Sequence, residues 1–428
     1  MNALRVLARA GIRLFFDHVE IDGLENVPRE GPLLVVSNHT NGLVDGLMLL
    51  NVLPRHASLT AKSTLKKNPL LALLMRIGGV VPFYRRQDSA DVSKNFDSFA
   101  AIKARLARGE AICIFPEGVS HSDASLRELK SGAARIAIEF SSGAKPLRIL
   151  PIGLHYDAKQ RFRSSVLVRI GTPIDVDPSM DAQALTHEIE QRIRALTTNF
   201  HRVREALWLR WTAELLETRG DDPKPLDRES LDVAHRAQLI DRLRADYERA
   251  DRDRVASIFA AMRAYRRDLR RRGIAQHEVY LSMHPLQALF FALRELELLI
   301  VGGAIVAVAL VQHGVALLAD RALTKILSVD LDHWASNAIF YGFAIFPLTW
   351  IAGIAAVWKL ASPRWALAYA ALLPFTLLYT MMWLPRAAGA MRRARTFFRF
   401  LVDRDAQREL QERGRALIGA VEDARVSS

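Results

Sequence analysis

Cysteine is nearly missing from this chain: Cys113 stands alone among 428 residues. One cysteine excludes an intrachain disulfide framework and fits a reducing compartment. It lies inside the apolar run Ala111–Phe115, where a thiol is expected to be buried and inert rather than nucleophilic. Metal-ligand patterns are lacking too. The 12 histidines include no H-E-x-x-H, and no Cys-x-x-Cys exists, so no metal site is expected. Walker A and G-x-G-x-x-G loops are missing, which removes the common phosphate-cradle readings. No Gly-x-Ser-x-Gly elbow follows the apolar runs, so no serine nucleophile is expected. Internal repeats and low-complexity tracts are likewise missing. A secretory signal is not indicated, because Arg5, Arg9 and Arg13 run through the apolar N-terminal stretch instead of preceding it. Residues 1–19 are read as an amphipathic helix with Leu4, Leu7, Leu14 and Phe15 on one face. That face lies either on a membrane surface or against the protein's own core.

What is present in abundance is apolar character combined with positive charge. Half of the residues are hydrophobic, a quarter are charged, and the net charge is +13. That mixture suggests a charged soluble part joined to very apolar segments. The excess of cations favours anionic partners, among them phospholipid headgroups, phosphorylated small molecules and acidic carriers. Nucleic acid is not expected, since basic and aromatic residues are not interleaved on one module.

Four regions follow from the pattern. After residues 1–19, residues 20–178 alternate short apolar runs with helical stretches. The strand candidates are Leu33–Ser37, Ala57–Thr60, Val80–Phe83, Ala111–Phe115, Ile149–Gly153 and Val166–Ile170, with helices such as Leu70–Ile77 and Asn95–Arg108 between them. Such alternation predicts an α/β fold with a mostly parallel central sheet flanked by helices. Residues 179–290 are a charged helical region. Leu185, Ile189, Ile193 and Leu196 keep helical spacing, Gly220–Pro225 reads as a turn, and Ala234–Arg272 reads as one long arginine-rich helix. Its arginines from Arg263 to Arg272 are expected to be a solvated face, with attraction to anionic lipid as the functional alternative. Residues 291–428 hold C-terminal transmembrane helices. Ala338–Trp358 and Trp365–Leu384 contain no charged residue and reach the roughly 20 residues needed to cross a bilayer. Leu298–Ala319 is apolar but interrupted by Gln312 and His313. The positive-inside tendency favours two crossings, with Leu298–Ala319 re-entrant or interfacial, both ends cytoplasmic and the α/β domain facing the cytoplasm.

Two polar motifs end two of the apolar runs. Leu33–Val36 leads into Ser37-Asn38-His39-Thr40-Asn41-Gly42-Leu43-Val44-Asp45, and Ala111–Phe115 leads into Pro116-Glu117-Gly118. Ligands of parallel sheets gather beyond the carboxyl ends of the strands, so both motifs are placed at one edge. A histidine can take a proton from an alcohol if a carboxylate fixes its tautomer and steadies the imidazolium. On a continuous helix His39 and Asp45 would lie about 9 Å apart along the axis and could not meet. A turn at Asn41-Gly42 brings them together. The plainer alternative makes Asp45 an N-cap and His39 a loop residue; the second motif at the same edge weighs against it. Glu117 can accept hydrogen bonds from a polyol hydroxyl, and Gly118 lets backbone approach a ligand. Lys62, Arg85, Arg86, Lys130 and Arg135 supply cations for a phosphate in the same segment.

These motifs resemble, in order, the four blocks of the glycerophospholipid acyltransferase family. The blocks are Gly31-Pro32 with Asn38-His39…Asp45; Thr60-Ala61-Lys62 through Arg85; Phe115–Gly118 with Lys130–Ala134; and Ile149-Leu150-Pro151-Ile152-Gly153. The resemblance implies acyl transfer from acyl-CoA or acyl-carrier protein to a phosphorylated glycerol-type alcohol, without a further cofactor and on a phospholipid bilayer. It implies a His39–Asp45 acid–base pair and acceptor binding by Arg85, Glu117 and Gly118, with Lys130 and Lys62 as weaker carry-overs. Two departures are visible. The family commonly reads H-x4-D and F-P-E-G-T-R-S, whereas this chain has H-x5-D and F-P-E-G-V-S-H. The missing arginine removes one expected phosphate contact. Both departures resemble the glycerol-3-phosphate and dihydroxyacetone-phosphate acyltransferase branch, which reads N-H-x-N-x-x-V-D and F-P-E-G-x-S-H and carries C-terminal membrane segments. The expected acceptor is therefore glycerol 3-phosphate or dihydroxyacetone phosphate. The alternatives are a lysophospholipid such as 1-acylglycerol 3-phosphate, or a non-catalytic lipid-binding protein on this fold.

Overall fold

The computed structural model describes residues 3–67, 69–83, 95–123, 125–143, 146–159, 162–200, 203–218, 233–281, 284–327 and 331–426. The chain divides into two compact units. The first is Met1–His201 with Leu323–Tyr341, and the second is Arg202–Ala322 with Gly342–Ser428.

In chain order the first unit runs α1 (Ala3–Phe15), β1 (Phe16–Asp22), β2 (Leu33–Ser37), α2 (Gly42–Val52), β3 (Ala57–Lys62), α3 (Pro69–Ile77), β4 (Val81–Phe83) and α4 (Asn95–Ala107). It continues with β5 (Ala111–Ile114), α5 (Gly132–Ser141), β6 (Arg148–Tyr156), β7 (Ser164–Ile170), β8 (Ile174–Asp175) and α6 (Ala182–Leu196). The strands form one eight-stranded sheet in the order β1-β7-β6-β2-β5-β3-β4, with β8 beside β6. β2 is central and pairs in parallel with both β5 and β6, while β7 returns antiparallel to β6. The expected α/β architecture with a mostly parallel sheet is what forms.

Central strands of such sheets are apolar throughout because both faces are covered. Every residue of β2 and β5 is buried. Successive side chains alternate between faces. Leu33 and Val35 therefore join Ile12 of α1 and Val44 and Met48 of α2 in one cluster. Leu34 and Val36 join Ile102 of α4, Ile136 of α5 and Ile189 of α6 in the other. The result is three layers, helices on each side of the sheet. Cys113 is fully buried in the first cluster, and burial pushes its thiol up to about 12, as expected of an inert packing residue.

Two elements differ from expectation at the N-terminus. The helix ends at Phe15, and β1 then begins and pairs in parallel with β7. Its sequence FDHVEID alternates polar and apolar residues at a sheet edge, which hides it among loop-like residues. Ile12 and Phe15 of α1 are buried in the core, and the Arg5 guanidinium donates to the Leu53 carbonyl. Of the two readings for this helix, packing on the protein's own core is the one observed.

Unit two is helical, with α7 (Val203–Glu217), α8 (Val233–Arg249), α9 (Arg252–Arg272), α10 (Pro285–Glu297), α11 (Gly303–Leu327), α12 (Leu331–Leu360), α13 (Pro363–Val402) and α14 (Arg404–Val426). The end of α11 and the start of α12 belong to unit one. The expected single helix over Ala234–Arg272 is two, because Asp251 caps α9 by accepting from Asp253 N–H at 3.1 Å. The Gly220–Pro225 turn lies outside the described residues. Not all of the arginine-rich face is simply solvated: Arg266 pairs with Glu214 at 2.6 Å and stacks over Trp211, and Arg272 pairs with Asp268 at 3.0 Å.

Among the described residues, three helices are long and apolar enough to cross a membrane: Leu286–Leu327, Ser336–Leu360 and Pro363–Val402. Leu298–Ala319 is thus part of a continuous helical run, which differs from a re-entrant segment, one of the two forms expected for it. The run carries a π turn at Leu298–Gly302. Trp383 donates to the Leu298 carbonyl at 3.1 Å, and a Cβ on Gly302 would lie 2.5 Å from the Trp383 indole nitrogen. Glycine is used there for close helix packing, which lets the indole reach a carbonyl at the start of the π turn.

The glycine of the fourth motif has an equally local cause. A Cβ on Gly153 would lie 2.4 Å from the Leu196 carbonyl oxygen at the end of α6. Gly153→Ala is expected to destabilise the first unit by about 1–3 kcal/mol, read as a lower thermal midpoint by circular dichroism. An unchanged midpoint would show that α6 yields freely.

Candidate active site

β2 delivers His39 to the carboxyl edge of the sheet, and the chain then turns into α2, which carries Asp45 in its first turn. The turn closes the gap that a continuous helix would leave: His39 Nδ1 lies 2.9 Å from Asp45 Oδ2. Asp45 is fully buried, and its position near a helix N-terminus suits a carboxylate. The same Oδ2 accepts from the backbone N–H groups of Thr40 and Asn41, each at 2.7 Å. Oδ1 accepts from the Tyr156 hydroxyl at 2.6 Å. Burial, and then the adjacent Asp45 charge, push the Tyr156 phenol well above its ordinary range, so it remains a donor. The two backbone N–H groups and the phenol donate, and an ionised carboxylate such as Asp45 is an acceptor only. Nδ1 of His39 therefore carries the proton, which leaves Nε2 as the basic nitrogen. Among the described residues Nε2 has no hydrogen-bond partner, and the side chain is 19% exposed. The ring stacks on Phe115, with centroids 4.1 Å apart and planes at 15°.

The neighbouring strand fixes the other side. β5 pairs with β2 in register, so Phe115–Gly118 emerges beside His39. Glu117 is buried, and its Oε1 accepts from the His39 backbone N–H at 2.6 Å. Its Oε2 accepts from Arg127 N–H at 3.0 Å and from His121 Nε2. His121 is itself buried; its Nδ1 accepts from Asp123 N–H at 3.1 Å, and its backbone N–H donates to the His39 carbonyl at 3.1 Å. Two histidine–carboxylate pairs are thus interlocked through the backbone of His39. Both Glu117 oxygens are occupied by protein donors, so Glu117 holds the His39 loop. Contact with an acceptor hydroxyl would have to compete with those bonds.

Gly118 has φ +76°, and a Cβ there would lie 2.9 Å from Lys130 Nζ, so the glycine lets the lysine lie against the turn. Lys130 is exposed and its backbone N–H donates to the Pro116 carbonyl at 2.9 Å. Lys62 ends β3, the strand beyond β5, and is half-buried. Arg85 and Arg86 lie outside the described residues. No cluster able to hold a metal ion occurs among the described residues.

Sequence reasoning missed three contributors. Tyr156 is 111 residues from Asp45, at the end of β6, and nothing local marks it. His121 shows only as a departure from the usual third motif. Asn38 is quoted in the first motif but its task is structural: its amide donates to the Leu154 carbonyl at 3.0 Å and accepts from Leu154 N–H at 2.8 Å. That reciprocal pair continues the β2–β6 ladder one step past the strand and sets where His39 leaves it.

Residues 18–155 match the family model described as Acyltransferase. This segment is an acyltransferase-family domain, as the four motifs suggest. The chain is 25% identical over 252 residues to an uncharacterized acyltransferase of Schizosaccharomyces pombe, covering 39% of this chain and 37% of that protein. It is 33% identical over 90 residues to glycerol-3-phosphate O-acyltransferase 2 of Saccharomyces cerevisiae, covering 21% and 12%. It is 27% identical over 179 residues to 1-acyl-sn-glycerol-3-phosphate acyltransferase alpha of Ovis aries, covering 41% and 61%. The matched part is less than two thirds of each relative's length.

Two substitutions test this site. Tyr156→Phe leaves a buried carboxylate oxygen unpaired, at a cost of about 1–3 kcal/mol, and is expected to lower kcat about tenfold with KM nearly unchanged. His121→Ala is expected to lower activity more than His121→Gln, whose amide can still donate to Glu117. Equal activity in the two His121 variants would show that the Glu117 contact is dispensable.

Proposed function

We propose that this chain is a membrane-bound O-acyltransferase that moves a fatty acyl group from a thioester donor to glycerol 3-phosphate or dihydroxyacetone phosphate in phospholipid biosynthesis. The observation that carries the reading is the His39–Asp45 pair at the β2–β5 edge, with Nε2 open. In the proposed reaction, His39 Nε2 takes the proton of the acceptor hydroxyl as its oxygen attacks the thioester carbonyl. The tetrahedral intermediate collapses, the C–S bond breaks, and the imidazolium returns the proton to the departing sulfur. Asp45 steadies the imidazolium through Nδ1–H. Cys113 is buried with a raised thiol, which fits direct attack rather than a covalent cysteine intermediate.

The choice of acceptor rests on the motif spelling. H-x5-D and F-P-E-G-V-S-H favour the glycerol-3-phosphate branch, and the Saccharomyces cerevisiae relative named for that substrate shares 33% identity. Acylation of 1-acylglycerol 3-phosphate is the second reading, supported by the longer match to the Ovis aries enzyme. Lys130 beside Gly118, Lys62 and Arg85 are the cations proposed for the acceptor phosphate. Acyl-CoA and acyl-carrier protein are both compatible donors. The three apolar helices are read as the bilayer anchor, with the catalytic unit on the cytoplasmic side. A purely lipid-binding role leaves the open imidazole nitrogen and its buried carboxylate unexplained.

The full chain in lipid nanodiscs, given labelled acyl-CoA or acyl-carrier protein, is expected to acylate glycerol 3-phosphate or dihydroxyacetone phosphate. Turnover of lysophosphatidate alone would reverse the acceptor assignment. His39→Ala is expected to lower kcat by roughly 10²–10⁴, the usual contribution of a positioned general base, and Asp45→Asn by less. Wild-type turnover in both variants would remove His39 as the base.

A further inference from the structure

Helix α2 lacks a side-chain cap from its own N-cap residue. Asn41 occupies that position and makes no side-chain cap bond. Both polar atoms of its amide are buried without a hydrogen-bond partner among the described residues. The bond that a cap would make comes from far along the chain. Leu43 N–H, one of the donors left orphaned at a helix start, donates to Ser336 Oγ at 2.9 Å. The Ser336 hydroxyl in turn donates to the Asn41 carbonyl at 3.5 Å. Ser336 is buried, lies 293 residues from Leu43, and belongs to the same compact unit as the sheet. One helical turn further along α12, Ile339 packs against the core cluster that holds Val44 and Met48. Hydroxyl and apolar contact therefore hold α12 against the first turn of α2 together.

Asp45 sits in that first turn and takes three bonds on one oxygen, from His39, Thr40 and Asn41. A displacement of the turn loosens all three at once. We propose that Ser336 is a positioning residue of the active site: by capping α2 from the start of α12, it fixes the angle at which Asp45 meets His39. Ser336 lies outside the family-matched segment 18–155, so the site is completed by the apolar C-terminal region. Only the kinetic arm of the test rests on the acyltransferase reading.

The experiment compares Ser336→Ala and Ser336→Thr in the full chain in nanodiscs. Amide exchange is followed by mass spectrometry on peptides covering 40–50, with the β5 peptide as control. Loss of a cap is worth about a tenfold change in local opening, so Ser336→Ala is expected to speed exchange in the first turn of α2 about tenfold and leave β5 unchanged. The same variant is expected to lower kcat about tenfold with both KM values within about twofold. Ser336→Thr, which keeps the hydroxyl, is expected to restore exchange and kcat. In the Ser336→Ala background, Asn41→Asp supplies an N-cap able to accept from Leu43 N–H and is expected to slow exchange again. Unaltered exchange in Ser336→Ala, or equal change in the alanine and threonine variants, overturns the proposal. So does a Ser336→Ala chain that fails to accumulate even with Asn41→Asp, because the residue would then support the fold rather than the turn. A wild-type chain without acyl transfer would sink the functional reading, and the exchange result would still decide the cap.

Discussion

The first unit is organised around one buried carboxylate. Asp45 has no solvent access, and a lone carboxylate in such a place would cost several kcal/mol in lost hydration. Four donors offset that cost, two from the loop backbone, one from His39 and one from Tyr156. They come from three different constraints. The backbone donors require the bend after β2, the imidazole requires the end of that strand, and the phenol requires β6 to run parallel beside it. Satisfying the carboxylate therefore fixes β2, α2 and β6 together, and His39 acquires its tautomer as a result.

Glu117 does a parallel task from the other side. Its oxygens bind the His39 backbone, Arg127 N–H and His121. The bond to His39 runs between neighbouring strand ends, so the in-register pairing of β2 with β5 is what allows it. The imidazole is then held by Asp45 at one nitrogen, by Phe115 on one face and by Glu117 through its backbone. What is left open is Nε2, the atom a general base needs.

The second unit follows different physics. Its long helices leave large apolar side chains such as Val311 and Leu367 exposed, which suits hydrocarbon rather than water. Polar side chains inside these helices pair with one another. Trp350 donates to His313 at 3.3 Å, and His313 lies 3.0 Å from the Thr376 hydroxyl, so three helices are joined by one hydrogen-bonded chain. Small residues and a π turn admit Trp383 at Gly302. Packing and internal satisfaction of polar groups replace the hydrophobic drive that lipid does not supply.

Elements with a strong local signature were legible from the chain alone. β2 and β5 read as apolar runs because both faces are buried, and the polar motifs after them mark one edge of a parallel sheet. The apolar C-terminal helices were evident from length and charge, whereas the continuity of Leu298–Ala319 was not, because Gln312 and His313 look like interruptions until Thr376 and Trp350 are seen to satisfy them. β1 escaped notice as a half-polar edge strand. The amino-acid order alone determined the fold class, the acyltransferase motifs and the residues to watch. Only the tertiary structure brought Tyr156 to Asp45, His121 to Glu117 and Ser336 to the first turn of α2, and showed that Glu117 grips the His39 loop. Those bonds join positions up to 295 residues apart, and periodicity or spacing along a chain carries no signal about partners that the fold alone brings within reach.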